Sequence, residues 1–402
     1  MLKLERTFNK KKLLLACLLT GLMACSSTDD DIDETEPVEL TEITEKFEAK
    51  VMWEESVGDG VSKYFSRLKP FVAYNKVFSA SRDGDVYAFD PVTGKKLWHT
   101  DLSKADEEGG FFSSRKPAYL NGGPIAAINR VYIGSENGEV FALDAETGEL
   151  VWQEKVKGEV ISAPGFDAGV LVVNTASGIV KAFNASTGEE LWQVEQEVPA
   201  LTLRGVSSPS LAAGGAVIGS PDGQLTVYLI ENGQQGWTVE VGEPTGSTEL
   251  DRVIDIDSRP VIYGDKVYSV SARGNLAAID LRTGRILWKR QYSSYRQISI
   301  DGNTIYLTDV KGHVYAIDRV NGLEKWSQLS LTNRNVTGPA VVGNYVVVGD
   351  FEGYLHWLDA ATGDFVARHE VDGSGIFSTP VVEDGILYVQ SRDGDLQAIK
   401  TP

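Results

Sequence analysis

The chain of 402 residues is nearly devoid of cysteine: Cys17 and Cys25 are the only two, and both lie at the extreme N-terminus. Everything beyond residue 25 therefore folds without a disulfide and offers no thiolate to a metal. Histidine is scarce too, and the four that occur, His99, His313, His356 and His369, show no ligand spacing. Basic charge is in deficit, with 38 Lys and Arg against 57 Asp and Glu and a formal net charge of −19. A nucleic-acid backbone demands clustered cations, so an acidic chain of this size is a poor candidate for that partner, and no nucleic acid is expected. The apolar run "LLLACLLTGLMA" at 13–24 is too short for a permanent membrane span. No long segment has a 3.6-residue apolar period, and with 41 glycines the sequence argues against a helical fold. No residue pattern supplies a nucleophile with a base beside it, so no catalytic residue is assigned.

The N-terminus is nonetheless organised. Lys3, Arg6, Lys10, Lys11 and Lys12 precede the apolar run, which ends at Leu22-Met23-Ala24-Cys25. One reading is an ordinary signal peptide with an incidental cysteine. The Leu-x-small-Cys box, however, resembles a bacterial lipoprotein signal. That resemblance implies removal of residues 1–24 and lipid, palmitate included, on Cys25. Ser26, rather than an Asp, follows, which under the sorting rule of that class implies the outer membrane with the anchor in its periplasmic leaflet. Each buried CH₂ of an acyl chain adds about 0.8 kcal/mol to such anchoring. Removing residues 1–24 takes away five basic residues and one acid, leaving 33 basic and 56 acidic residues, net −23. The stretch "SSTDDDIDETEPVELTEITEKF" at 26–47 is acidic and poor in apolar residues. With Cys25 it reads as a flexible tether over 25–47, leaving 48–402 as the folded body.

That body is written in repeats. "AFDPVTGKKLW" (88–98), "ALDAETGELVW" (142–152), "AFNASTGEELW" (182–192) and "AIDLRTGRILW" (278–288) spell one phrase. Its Gly-to-Trp step occurs at Gly94/Trp98, Gly148/Trp152, Gly188/Trp192, Gly233/Trp237, Gly284/Trp288 and Gly322/Trp326; a seventh copy has Ala367 where Trp belongs. Upstream of the phrase is a hairpin turn, found eight times from Asp83-Gly84 to Asp393-Gly394 at intervals of 54, 40, 45, 51, 38, 41 and 41 residues. Self-similarity in the forties marks a propeller or solenoid. Alternating stretches such as "KVFSAS" and "DVYAFD" flank the turns as strands. Pro70, Pro124, Pro164, Pro209, Pro260, Pro339 and Pro380 each stand eight residues before the same strand position. Proline lacks the N–H that a central strand needs, so it belongs beside an edge strand, here the innermost one.

The expected fold is therefore all-β: an eight-bladed β-propeller of four-stranded antiparallel blades. The last repeat ends at Pro402 before any Trp strand, while "AKVMW" (49–53) supplies an unmatched one, with Trp53 one repeat ahead of Trp98. An N-terminal strand that completes the eighth blade closes the ring and leaves no sheet short of its edge strand. The repeated Asp and Trp are read as structure. Asp or Asn accepts backbone N–H bonds in the tight turn, and Trp lies flat between blades with up to about 250 Å² to bury.

The phrase A-x-D-x-x-T-G-x-x-x-W resembles the tryptophan-docking repeat of the quinoprotein dehydrogenases, eight-bladed propellers that hold pyrroloquinoline quinone with a metal ion. This chain lacks the disulfide such enzymes usually carry and the long insertions that build their site, so no cofactor and no metal are expected. Signal, tether and eight such blades together resemble another family, the propeller lipoproteins of the machinery that inserts β-barrels into the bacterial outer membrane. "PALTLRGVSSPSL" (199–211) is similar to that family's leucine–arginine loop and "GSTELDRVIDIDSRP" (246–260) to its paired-aspartate loop; "EGYLHW" (352–357) and "NLAAIDLRTGRILWKR" (275–290) match it as well. The resemblance implies a non-catalytic scaffold that binds the periplasmic POTRA domains of the barrel-forming subunit, with nascent outer-membrane proteins as a further partner. It carries the binding role onto Leu201, Leu203 and Arg204 of the first loop and Asp255 and Asp257 of the second.

The residues themselves leave alternatives open. Leu201 and Leu203 either anchor a partner, with Arg204 beside them, or pack beneath their own loop. Asp255 and Asp257 alternate with Ile254 and Ile256, so both carboxylates should share one face. They either pair with a partner's cation, pair with Arg204, or cap a turn beside Arg259. "GGFFSSRKP" (109–117), within the 103–116 insert, is a buried plug or a second interface. Two rival functions remain at this point: a quinone-dependent dehydrogenase, and a periplasmic binder of peptides or cell-wall fragments in the central channel.

Overall fold

A computed structural model describes residues 35–104, 116–243, 248 and 253–402. Its compact body runs from Pro37 to Pro402. Eight four-stranded antiparallel sheets follow one another along the chain. Blades one to seven occupy 71–101, 120–155, 165–195, 210–240, 261–291, 299–328 and 340–370. The eighth is composite. Val381–Glu383, Ile386–Gln390 and Asp395–Lys400 come from the C-terminus, and Lys50–Ser56 pairs antiparallel with the last of these, Trp53 opposite Ala398. The clasp expected from the unmatched Trp53 is thus the observed closure. Six of the seven prolines immediately precede the innermost strand of their blade, and Pro124 lies within Leu120–Ala127.

One contact, repeated, holds neighbouring blades together. Trp98 Nε1 donates to the Ala145 carbonyl of the next blade at 3.1 Å, and Trp152, Trp192, Trp237, Trp288 and Trp326 do the same one blade further on each time. Trp53 joins blade eight to blade one through Pro91 at 2.9 Å. The indole face lies on the glycine of the neighbour's Thr-Gly turn. A Cβ on Gly148 would fall 2.6 Å from the Trp98 ring, and one on Gly188, Gly233, Gly284, Gly322 or Gly363 would fall 2.6 to 2.9 Å from theirs. These glycines also have φ near +75°, so the turn needs glycine twice over. The phrase's Asp caps the turn: Asp90 Oδ1 accepts the N–H of Val92 and Thr93.

The seam between blades seven and eight departs from this. Ala367 sits opposite Trp357, the reverse of the Ala316–Trp326 pair of blade six. Trp357 is fully buried, and its Nε1 donates to Thr401 Oγ1 at 3.1 Å, at the repeat position that Ala145 holds in blade two. Tryptophan and alanine have exchanged strands, and the indole still reaches the next blade.

The N-terminal segment runs across blade seven, from the link that precedes it to this seam, which corrects the tether expected over 25–47. Residues 37–47 lie against the propeller. Val38 N–H donates to Thr332 O, Lys46 N–H to Val366 O, and Phe47 meets Trp357 edge-on with centroids 6.3 Å apart. Two cations hold the segment from below: Arg334 donates to the Val38 carbonyl and Arg368 to that of Thr41. Arg334 is itself buried against Asp350, which His356 also contacts at 3.0 Å. Composition alone suggested disorder here. Phe47 and Leu40, spaced among the acids, supply the apolar contacts that offset it. Residues 25–34 and the Cys25 site lie outside the described residues.

Candidate functional site

Each link from one blade's outermost strand to the next blade's innermost strand crosses the same face of the ring as the Gly hairpin turns. The link between blades three and four carries Leu201, Leu203 and Arg204. Both leucines are exposed, at 47% and 36%, so the alternative of leucines packed beneath their own loop fails. The Arg204 side chain is about half exposed, and its guanidinium leans back toward blade two, 3.2 Å from Glu136 and 3.8 Å from Glu159. A cavity of about 250 Å³ opens beside the loop, walled by Leu203, Val206, Ile161 and Ile256.

Asp255 and Asp257 occupy the next link, between blades four and five, and here the expectation needs correction. Neither carboxylate is on the surface; their exposures are 0% and 3%. They stand under the leucine–arginine loop. Asp255 Oδ2 accepts the Leu203 N–H at 2.6 Å. Asp257 packs so closely against Gly205 that a Cβ there would fall 2.2 Å from its Oδ2. Neither pairs with Arg204. Side chains with such burial position the loop above them.

The alternation of "IDID" suggested one buried and one accessible face, but both isoleucines are buried as well, at 6% and 1%. The link is enclosed on both sides, by the sheet below and the neighbouring loop above, which a period of two cannot reveal. Burial, reinforced by the negative charge of Asp257, pushes the Asp255 carboxyl up to about 7. Burial also raises Asp257, against the opposing pull of Arg67.

Three supporting residues escaped the sequence reading. Arg67, in the link after the clasp strand, donates to the carbonyls of Val206 and Asp257 at 2.9 and 2.5 Å, fastening both loops to the ring closure. Glu136 receives Arg82 through two bonds, Asn121 through one, and the charge of Arg204. Burial opposes its ionisation, yet these bonds and charges hold it below the ordinary carboxylate range. A signal existed. Arg82 and Glu136 occupy the same position of consecutive hairpin turns, "SRDG" and "SENG", with opposite charge. Gly205 is the third, required by close approach.

The histidines are dispersed: His99 meets Asp85, His313 meets Asp309, His356 meets Asp350 and His369 meets Gln397. Among the described residues no three of His, Cys, Asp and Glu converge as a metal site requires. Phe111 and Phe112 lie outside the described residues.

Comparison with known proteins gives one consistent result. The family model described as outer membrane protein assembly factor BamB matches residues 43–122, 82–328 and 329–401. Outer membrane protein assembly factor BamB of Shewanella oneidensis is 45% identical over 394 residues, covering 98% of this chain and 99% of its own. That of Escherichia coli is 39% identical, covering 97% and 99%. Among solved structures, BamB from Moraxella catarrhalis superposes with a TM-score of 0.78 at 25% identity, over 88% of this chain and all of its own. A quinohemoprotein alcohol dehydrogenase from Pseudomonas putida shares the fold alone, at 16% identity and a TM-score of 0.65 over 88% of this chain and 76% of that one.

Proposed function

The chain belongs to the BamB family of outer membrane protein assembly factors, and from that premise we propose that it is a non-catalytic scaffold docking the periplasmic POTRA domains of the barrel-forming subunit through its leucine–arginine loop. The observation that carries the docking surface is an inversion of the usual partition: two exposed leucines and a half-exposed arginine ride on a loop whose supports are buried carboxylates. Exposed apolar side chains on a pre-organised loop suit an interface, because little freedom is left to lose on binding. Arg204 adds a directional anchor, and the adjacent cavity gives a partner side chain somewhere to enter. Lipid on Cys25 would hold the propeller at the periplasmic leaflet of the outer membrane, with the residues ahead of Pro37 as the reach between anchor and body. Nascent outer-membrane proteins are a further proposed partner.

The test is capture of the barrel-forming subunit from detergent-solubilised membranes. Arg204→Glu reverses the charge at an exposed position and should abolish capture while the propeller stays folded, with only a small loss of thermal stability from the neighbouring Glu136 and Glu159. Normal capture by that variant removes the assignment of the loop.

A further inference from the structure

The ring axis opens on the face that carries the docking loop. A cavity of about 480 Å³ lies there, lined from around the ring by residues that precede the innermost strands, among them Lys69, Ala163, Ser208, Arg259 and Gln297. Its charge runs against that of the chain. Lys63, Arg67, Lys69, Arg259, Arg296 and Arg392 all line it, and among the described residues no Asp or Glu does. A protein of net charge −19 has gathered six cations into one cavity.

Arg67 feels the charge of the buried Asp257, but Lys69, Arg259, Arg296 and Arg392 are held in place without a salt bridge among the described residues. Arg296 donates to the Phe377 carbonyl and the Asn335 side chain, Arg392 to the Ser62 carbonyl, and Lys69 to Gln297 Oε1. All of these acceptors are uncharged. Among the described residues none of the six has a carboxylate oxygen within ion-pair distance. Arg259 is the clearest instance: its Nε donates to Ser210 Oγ at 3.0 Å, its other donors have no partner among the described residues, and its surface is open to the cavity. Protein nevertheless surrounds the cavity, so like charges there act on one another through a poor dielectric. Burial, with the charges of Arg259 and Arg67, brings Lys69 down to about 8.

A structural brace would account for donors, but not for unopposed charge. Neutral amides could make the same bonds without the mutual repulsion. A walled cleft lined by one sign of charge focuses its field on a counter-ion. The acids on the outer surface do not cancel that field, since screening at physiological salt acts over about 8 Å. Aromatic rings stiffen the array, with Arg296 over Tyr295 at 4.7 Å and Arg392 over Phe377 at 4.7 Å. The volume lies within the about 300–1,000 Å³ typical of small-molecule sites.

We propose that this mouth of the central channel binds a small organic polyanion, one carrying two or more carboxylate or phosphate groups, with Lys69, Arg259 and Arg296 as its principal contacts. The site is separate from the docking loop and does not depend on the role proposed for Leu203 and Arg204.

Calorimetric titration of the purified protein with citrate and with pyrophosphate, at about 50 mM salt to limit screening, tests this. Saturable one-to-one binding of either anion is expected, the tighter of the two identifying carboxylate or phosphate chemistry. The double variant Lys69→Gln/Arg259→Gln should bind about tenfold or more weakly, since it removes two charge-assisted contacts. Should that variant fail to fold, Arg259→Gln alone, whose side chain makes one bond, carries the comparison. Leu203→Asp should bind the anion as the parent does. Failure of both anions to saturate, or unchanged affinity in the Arg259 variant, overturns the proposal.

Discussion

The blade seams and the leucine–arginine loop use the same kinds of residue in opposite ways. At a seam the apolar group is inside and the carboxylate outside: Trp152 is 8% exposed, while the turn aspartate that the phrase carries caps backbone at the rim. At the loop the carboxylates are inside and the apolar groups outside: Asp255 and Asp257 are buried beneath Leu201 and Leu203. The seam arrangement is what stability alone would select, because apolar burial drives folding and buried charge opposes it. The loop arrangement costs stability and persists where a surface has another use. Seam residues should therefore govern whether the ring holds, and loop residues whether anything docks on it.

The largest effect expected is at a seam. Trp152→Ala removes a buried indole, its bond to Ala185 and its packing on Gly188, and should cost about 3–5 kcal/mol in denaturant unfolding. A loss below about 1 kcal/mol would mean that the seams are not what holds the blades. Leu203→Asp comes next and should separate the two regions cleanly. It should weaken capture of the barrel-forming subunit by about 2 kcal/mol or more, as a central anchor does, with stability within about 0.5 kcal/mol of the parent. Equal loss of both quantities would erase the distinction between seam and loop.

The remaining prediction concerns the buried support and is one of sign. The Asp255 carboxyl is raised in the folded protein to about 7, so below pH 4 it is protonated folded or unfolded and carries no penalty. Between pH 4 and 7 the unfolded chain ionises while the folded one keeps its proton, and stability falls as pH rises. Asp255→Asn lacks that slope and its Oδ1 can still accept the Leu203 N–H. At about 1.4 kcal/mol for each pH unit of that window, it should gain up to about 4 kcal/mol over the parent at pH 8 and nothing at pH 4, measured by urea unfolding at the two pH values. Parallel pH profiles for the two proteins would show that this carboxylate is ionised without strain.

How much of this was legible in the sequence depended on whether a feature repeats. The eight blades, the turn aspartates and the tryptophan seams were readable, because a defect in one copy stands out against the others. Even the clasp was visible as an unmatched Trp53. Blade seven shows the limit. Its missing Trp was evident at Ala367, yet only the cross-strand pairing reveals that Trp357 takes over from the opposite strand. The loop was half legible: resemblance marked Leu201, Leu203, Arg204, Asp255 and Asp257 alike, without separating those that face outward from those that hold them.

The sequence by itself determined that the chain makes a closed ring of eight sheets, because hydrophobic alternation, glycine turns and a period in the forties are local properties that every repeat states again. Tertiary structure decided what lies on the ring. Burial of Asp255 and Asp257 depends on a neighbouring loop settling over them. The docking of residues 37–47 depends on contacts 296 and 327 positions away along the chain. The cationic mouth draws on residues 63, 67, 69, 259, 296 and 392, which no local pattern links. Each of these arises only when closure of the ring brings distant links to one axis, and charge and solvent exposure are set by what has been brought together.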